Sequence, residues 1–155
     1  MIKADVRCLV LALATLAGPA LAGDQGGFPK GTWILDETRS KAMAAKSQTL
    51  TIIEDDGRVL SFTLLEPGAD GTPKLLKWRG IYGEAPHLIE GSAITFGVAH
   101  GPNGSVLISG HRPEDITFQE NCQFAAGKRH LRCDGTQWSG DGSKSTYVEI
   151  FDLQR

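Results

Sequence analysis

The chain has 155 residues, with 16 basic and 18 acidic side chains and a formal net charge of −2 at neutral pH. This length suits one domain with a single hydrophobic core and argues against several domains. The slight negative charge and the lack of a basic run remove the electrostatic basis for nucleic-acid binding, so we expect no nucleic-acid partner.

Residues 1–22 have the pattern of a secretory signal peptide. A basic start is followed by an almost wholly apolar run from Cys8 to Gly18, and the segment ends in small residues. A membrane-spanning helix needs about 20 apolar residues, so this run is too short and we expect no stable membrane insertion. Cleavage after Ala22 predicts a periplasmic or secreted protein.

Residues 23–30 are rich in glycine and predict a flexible lead-in, with the folded domain covering residues 31–155. The first strand is Gly31-Thr32-Trp33-Ile34-Leu35-Asp36, in which a large aromatic lies among β-branched and aliphatic residues. The residues from Asp36 to Lys46 are helix-tolerant, and Asp36 or Thr38 is suited to cap a helix. We therefore expect one short helix near the N-terminus.

The segment from Gln48 onward alternates apolar and polar residues and turns at Asp55-Asp56-Gly57, which indicates a β-hairpin. A two-residue turn would divide the apolar residues of the hairpin between its faces. A three-residue turn with Gly57 in the left-handed conformation keeps them together. The predicted pairs on the apolar face are Leu50 with Phe62 and Ile52 with Leu60.

Two further hairpins follow the same rule. A turn at residues 69–72 leads into a strand on which Leu76, Trp78 and Tyr82 share a face. A turn that ends at a left-handed Gly104 joins the next two strands. The residues that this turn places on one face are Phe96, Val98, Val106, Ile108 and Gly110. Residues 116–122, 129–138 and 145–153 supply the last strands.

The cysteines predict one disulfide. Cys8 is lost with the leader, which leaves Cys122 and Cys133 in an exported chain. They flank a hairpin that turns near Gly127, so the two residues are expected directly opposite each other. Closing this small loop should contribute about 3 kcal/mol to stability.

The whole pattern predicts an all-β fold with eight to ten short strands, mostly joined by tight glycine turns. Sequential antiparallel strands at this spacing favour an up-and-down β-barrel, with a β-sandwich as the second candidate. A parallel α/β sheet and a helical bundle do not fit, because no segments of helical period separate the strands.

Several of these residues also form a set known from other proteins. Gly31-Thr32-Trp33 is similar to the G-x-W start of lipocalin-type barrels. The runs 31–36, 39–41 and 47–52, with Asp70-Gly71-Thr72-Pro73 before a strand carrying Trp78, resemble secreted bacterial lipocalin-like domains, which are calycin-type barrels. The resemblance covers residues 31–82 and implies that a small apolar molecule binds in the barrel.

The candidate ligand-binding residues are large or cationic side chains of the predicted inner face. Trp33 either touches ligand at the base of a cavity or plugs the barrel end as a structural residue, which we favour. Arg112 either binds a carboxylate or phosphate of the ligand or, as we favour, lies at the rim where Pro113 ends the strand. The full set is Arg112, Phe96, Trp78, Phe62 and Trp33.

No motif defines a reaction. The four histidines lack metal-ligand spacing, so we expect no metal and no cofactor. His111 is the best candidate for a general base, since an imidazole can accept a proton near neutral pH. Tyr82 and Glu90 are conceivable partners of His111.

The favoured hypothesis is an exported barrel that binds a small hydrophobic or amphipathic molecule in its cavity. The alternative is a periplasmic enzyme, an isomerase, cyclase or lyase, that acts on a small apolar substrate in the same cavity. A further alternative is a protein-interaction module with a filled core. A cavity would support the first two hypotheses, and ionisable side chains that converge within it would favour the enzyme.

Overall fold

The computed structural model describes residues 27–41, 47–68, 70–125 and 127–154. The predicted leader and half of the predicted lead-in, residues 23–26, lie outside these residues, so both stay predictions. Within the described ranges, no helix is long and apolar enough to span a membrane.

Ten antiparallel strands form one sheet. The strands are β1 Gly31–Leu35, β2 Thr49–Asp55, β3 Val59–Pro67, β4 Pro73–Ile81, β5 His87–Leu88, β6 Thr95–His100, β7 Val106–Arg112, β8 Ile116–Phe124, β9 His130–Trp138 and β10 Lys144–Leu153. Their spatial order is β4-β3-β2-β1-β10-β9-β8-β7-β6-β5, so each strand pairs with its neighbour in the chain and β1 pairs with β10.

The sheet curls into a nearly closed barrel. The two ends of the sheet meet where Lys77 of β4 and Glu90, just after β5, exchange backbone hydrogen bonds of 3.3 and 2.9 Å. The prediction of an all-β up-and-down barrel with eight to ten strands is confirmed, and the sandwich is wrong. Successive hairpins alternate between the two ends of the barrel, since every connection joins sequential antiparallel strands.

The short helix predicted between Asp36 and Lys46 is not borne out. Asp36 does accept hydrogen bonds from the backbone N–H groups of Thr38 and Arg39, at 2.9 and 3.1 Å, as a helix cap would. The chain then forms a turn, and Lys41 exchanges backbone hydrogen bonds with Val148 of β10. The sheet therefore takes the backbone groups that a helix would need. Residues 42–46 lie outside the described part of the chain. Within the described part, the one helical element is a 3₁₀ turn at Pro102–Gly104.

The first hairpin has the predicted faces but not the predicted partners. Leu50 pairs with Leu64 and Ile52 with Phe62, a shift of two residues from the expected register. A bulge between Ile52 and Glu54 and a wider turn produce this shift, although Gly57 is left-handed as predicted (φ 80°). Since side chains alternate with a period of two, the shift leaves every apolar residue on its predicted face. In the hairpin at Gly104 the predicted register is confirmed: Phe96 pairs with Gly110 and Val98 with Ile108.

One end of the barrel is closed by an aromatic cluster around Trp33, which is fully buried. Its ring centroid lies 5.9 Å from that of Phe124, and Phe124 meets Phe28 edge-on at 5.5 Å. The Trp33 indole N–H donates a hydrogen bond to the carbonyl of Pro29 at 3.1 Å. Trp33 thus links the segment that enters the barrel to its first strand.

A disulfide links Cys122 of β8 to Cys133 of β9. The two residues are direct partners in the ladder between these strands, as predicted. The disulfide therefore crosslinks the wall of the barrel next to β10.

Candidate ligand-binding cavity

The interior of the barrel contains a cavity of about 370 Å³ that is partly open to solvent. Volumes of roughly 300–1,000 Å³ are typical of small-molecule sites. The hypothesis of an interaction module required a filled core, and the cavity shows that the core is not filled. The cavity has two chemically different walls.

Strands β2 to β7 supply a mostly apolar wall, in which the charged lining residues are Glu66 of β3 and Arg112 at the end of β7. The inward positions of β2, β3 and β4 form ladders in which Leu50, Leu64 and Leu76 are successive partners across the three strands. Large apolar side chains of this wall that line the cavity include Leu50, Phe62, Leu64, Leu76, Phe96 and Ile108. A surface of this kind binds the apolar part of a ligand through the hydrophobic effect.

Strands β8 to β10 supply an acidic wall. Glu120 of β8 and Glu149 of β10 both line the cavity, and Cys133 of the disulfide lies on the strand between them. Glu149 is only 7% exposed, and no described residue donates a hydrogen bond to its carboxyl group. Glu120 accepts a hydrogen bond of 2.6 Å from the hydroxyl of Tyr147.

A glycine makes the contact between Tyr147 and Glu120 possible. Gly135 of β9 is the ladder partner of Glu120 on one side and of Tyr147 on the other. The Tyr147 ring lies over Gly135 so closely that a Cβ atom there would be 2.2 Å from Cζ of the ring. The missing side chain lets the tyrosine cross the strand and reach the carboxylate.

Burial controls the protonation of the acidic wall. It raises the pKa of Glu120, against the opposing effects of the Tyr147 hydrogen bond and the Arg112 charge. Burial and the neighbouring Glu120 raise the pKa of Glu149 to about 7, although Arg112 acts to lower it. Burial and Glu120 also raise the pKa of Tyr147, which stays a hydrogen-bond donor at physiological pH.

Arg112 lines the cavity at the end of β7. Its guanidinium lies over the ring of Phe118, 4.9 Å from the centroid, in a cation–π contact. Arg112 therefore lines the cavity, as the hypothesis of a ligand-binding arginine requires. It also lies at the end of a strand next to a hairpin turn, as the rim hypothesis expects.

Of the other candidate binding residues, Phe62 and Phe96 line the cavity and Trp33 and Trp78 do not. Trp78 is buried behind them. Its ring centroid lies 5.6 Å from that of Phe62 and 4.9 Å from that of Phe96. Trp78 therefore supports two lining rings, and a role in binding for any of the five stays a prediction.

The candidate catalytic residues are not brought together. His111 is exposed on the outer surface, with its nearest ion-pair partner, Asp115, at 3.9 Å. Tyr82 donates a hydrogen bond of 2.8 Å to Asp55, and burial raises its pKa. Glu90 is exposed and joins the sheet only through its backbone. The ionisable groups that do converge are Arg112, Glu120, Tyr147 and Glu149.

The two glutamates were missed although the sequence carries their signal. Glu120 stands two residues from both Phe118 and Cys122, and Glu149 stands two residues from both Tyr147 and Phe151. Alternation therefore places each carboxyl on the apolar face of its strand. An acidic residue at an inward position is a binding-site signal that can be found without a structure.

Glu120, Cys122 and Cys133 have potential metal-ligand atoms within 4.8 Å of one another. Both sulfurs belong to the disulfide, so neither can act as a thiolate ligand. This group therefore gives no support to a metal site.

The fold is a nearly closed antiparallel β-barrel with an internal cavity. The chain is similar to the crystal structure of the wild-type fluorescent protein UnaG, with a TM-score of 0.55 and 14% identity over 81% of this chain and 96% of UnaG. A variant of UnaG gives a TM-score of 0.53 and 14% identity, over 80% of this chain and 94% of the variant. At this identity the likeness shows a shared fold. No protein-family model and no curated protein sequence matches the chain.

Proposed function

We propose that this protein binds a small hydrophobic or amphipathic molecule in the barrel cavity. The observation that carries the proposal is the cavity itself, about 370 Å³, lined mainly by apolar side chains together with a few ionisable groups. This combination is typical of small-molecule sites, where apolar contacts provide affinity and polar groups provide orientation. The similarity of the fold to UnaG supports the proposal at the level of architecture.

A matched pair of tryptophan variants tests the proposal. Leu64 lines the cavity, whereas Leu65, the next residue of β3, is 41% exposed on the outer surface. Leu64→Trp should fill part of the cavity and weaken binding of a polarity-sensitive fluorescent dye by about tenfold or more, since it removes apolar contacts. Leu65→Trp should leave binding unchanged.

Native mass spectrometry of protein purified from its own cells should show a bound small molecule, and a panel of lipids and aromatic compounds should raise the melting temperature. No bound molecule, no thermal shift and equal dye binding by both variants would together refute the proposal.

We also propose an exported location, periplasmic or secreted, on the basis of the leader pattern in residues 1–22. The disulfide supports this proposal, because such bonds persist mainly in oxidising compartments.

A second candidate function is an enzyme in the same cavity, an isomerase, cyclase or lyase. The convergence of Glu149, Glu120 and Tyr147 favours it, since a carboxyl group with a pKa near 7 can both accept and donate a proton at neutral pH. The test is the chemical fate of the ligand. An enzyme would release a ligand altered in bonding, and Glu149→Gln would stop that change without abolishing binding. A binding protein would return the ligand unchanged.

A further inference from the structure

The acidic wall carries hydrogen-bond acceptors without donors. Glu149 is 93% buried against the cavity, and no described residue is bonded to its carboxyl oxygens. Glu120 uses Oε1 for the Tyr147 hydroxyl. Its Oε2 lies 4.0 Å from Sγ of Cys122, which has no proton to donate because it is in the disulfide. The carboxyl oxygens of Glu149 are not among the fully buried unpaired polar atoms of the described residues, so they are accessible from the cavity. The N–H groups of a ligand could therefore donate to them.

The charge of the cavity is also unbalanced. Among the described lining residues, Arg112 is the one basic side chain, against Glu66, Glu120 and Glu149. The guanidinium of Arg112 packs on Phe118 and is beyond 4.0 Å from every described carboxylate. A carboxylate ligand would disfavour the charged forms of Glu120 and Glu149, whereas a cation would stabilise those charged forms.

We propose that the cavity selects amphipathic amines, with the apolar body of the ligand against β2 to β7 and its N–H groups donating to Glu149 and Glu120. This inference rests on the proposed binding function and names its ligand class. A charged N–H donor meeting a carboxylate away from water forms one of the strong hydrogen bonds of proteins.

Protonation gives the selection a pH signature. The charged or titratable groups that face Glu149 are Arg112 of β7, Glu120 of β8 and Tyr147 of β10, while β9 offers the non-titrating sulfur of Cys133. An ammonium ligand stabilises the charged carboxylates, so its binding releases protons. Amine affinity should therefore rise between roughly pH 6 and pH 8. A carboxylate ligand should show the opposite trend.

The experiment compares octylamine, octanol and octanoate, which share one apolar chain, by calorimetry and by displacement of the fluorescent dye. Octylamine should bind at least about tenfold more tightly than octanoate at pH 8. Glu149→Gln, and separately Glu120→Gln, should reduce octylamine affinity by about tenfold and leave octanol affinity unchanged. The matched control is Glu84→Gln, which removes the same charge from the exposed turn after β4 and should change nothing.

Two results would overturn the inference while the binding function stands: octanoate binding as tightly as octylamine, or full octylamine affinity in both glutamine variants. If the dye and all three octyl compounds fail to bind, the binding function falls as well. Thermal unfolding checks that each variant is folded. Because the two glutamine variants lie on different strands, the comparison can still be made with one of them if the other is unstable.

Discussion

At the scale of single residues, the most unusual group is the carboxyl of Glu149. It lies on an inward position of β10, 7% exposed, between Tyr147 and Phe151. Taking a charged carboxylate out of water is costly unless it is paired, so the neutral form is favoured in the folded protein. A buried carboxyl group without a partner lowers the stability of the folded protein. Such a cost is expected at a binding site.

The first prediction concerns the pH dependence that Glu149 confers. Its pKa rises from near 4.5 to about 7 on folding, so its contribution to stability is fully present below pH 4.5 and is lost as pH rises through 7. Glu149→Gln should match the wild type at pH 4.5 and exceed it by roughly 2–3 kcal/mol in free energy of unfolding at pH 8. Denaturant unfolding at both pH values measures this difference. A difference that does not change with pH would contradict the prediction, and Glu84→Gln serves as the exposed control.

At the scale of elements, the strands β8, β9 and β10 act as one unit. The disulfide joins β8 to β9, and the Tyr147 hydroxyl reaches from β10 across Gly135 to Glu120 on β8. Both links connect inward positions, so they hold the acidic wall in place beside the cavity. Packing requires Gly135 in β9, because the absence of a side chain there leaves the space that the Tyr147 ring occupies.

The second prediction tests this packing. Gly135→Ala should displace the Tyr147 ring and break its hydrogen bond, at a cost of about 2 kcal/mol in free energy of unfolding. The control is the same change in a Tyr147→Ala background, where the space is already empty and the cost should nearly vanish. Equal costs in both backgrounds, measured by denaturant unfolding, would show that the ring is not what Gly135 accommodates.

At the scale of the whole molecule, the structure combines a nearly closed barrel, a lined cavity and a crosslinked wall, and the proposed binding function rests on the cavity. The leader pattern adds a prediction about the mature chain. Loss of residues 1–22 removes Cys8, so the remaining cysteines are the disulfide pair.

The third prediction follows from the leader. Intact mass and N-terminal sequencing of protein from its own cells should show a chain that begins at Gly23 and contains no free thiol. Cytoplasmic expression of the full chain provides the comparison, where the leader stays attached and the thiols are kept reduced. A native chain that begins at Met1 would refute export by this route.

The strands could be predicted from the sequence, as could the faces of the hairpins, the disulfide and the all-β barrel. These features follow from local physics: alternation with a period of two, glycine at left-handed positions and two cysteines facing each other across a hairpin. The register shift of two residues at Ile52 does not move any side chain to the other face of the sheet. The predicted faces are therefore correct, although the predicted cross-strand partners are wrong.

The arrangement of side chains inside the barrel could not be predicted from the sequence. The pairing of β8 with β9 and of β9 with β10 brings together Glu120, Tyr147 and Glu149, of which Glu120 and Glu149 are 29 positions apart in the chain. The fold also separates His111 and Tyr82, and it takes the backbone of Lys41 into the sheet in place of a helix. Alternation assigns a side chain to a face, but whether that face is filled, hollow or open depends on curvature and on contacts between distant strands. The chemistry of this protein is set by those contacts.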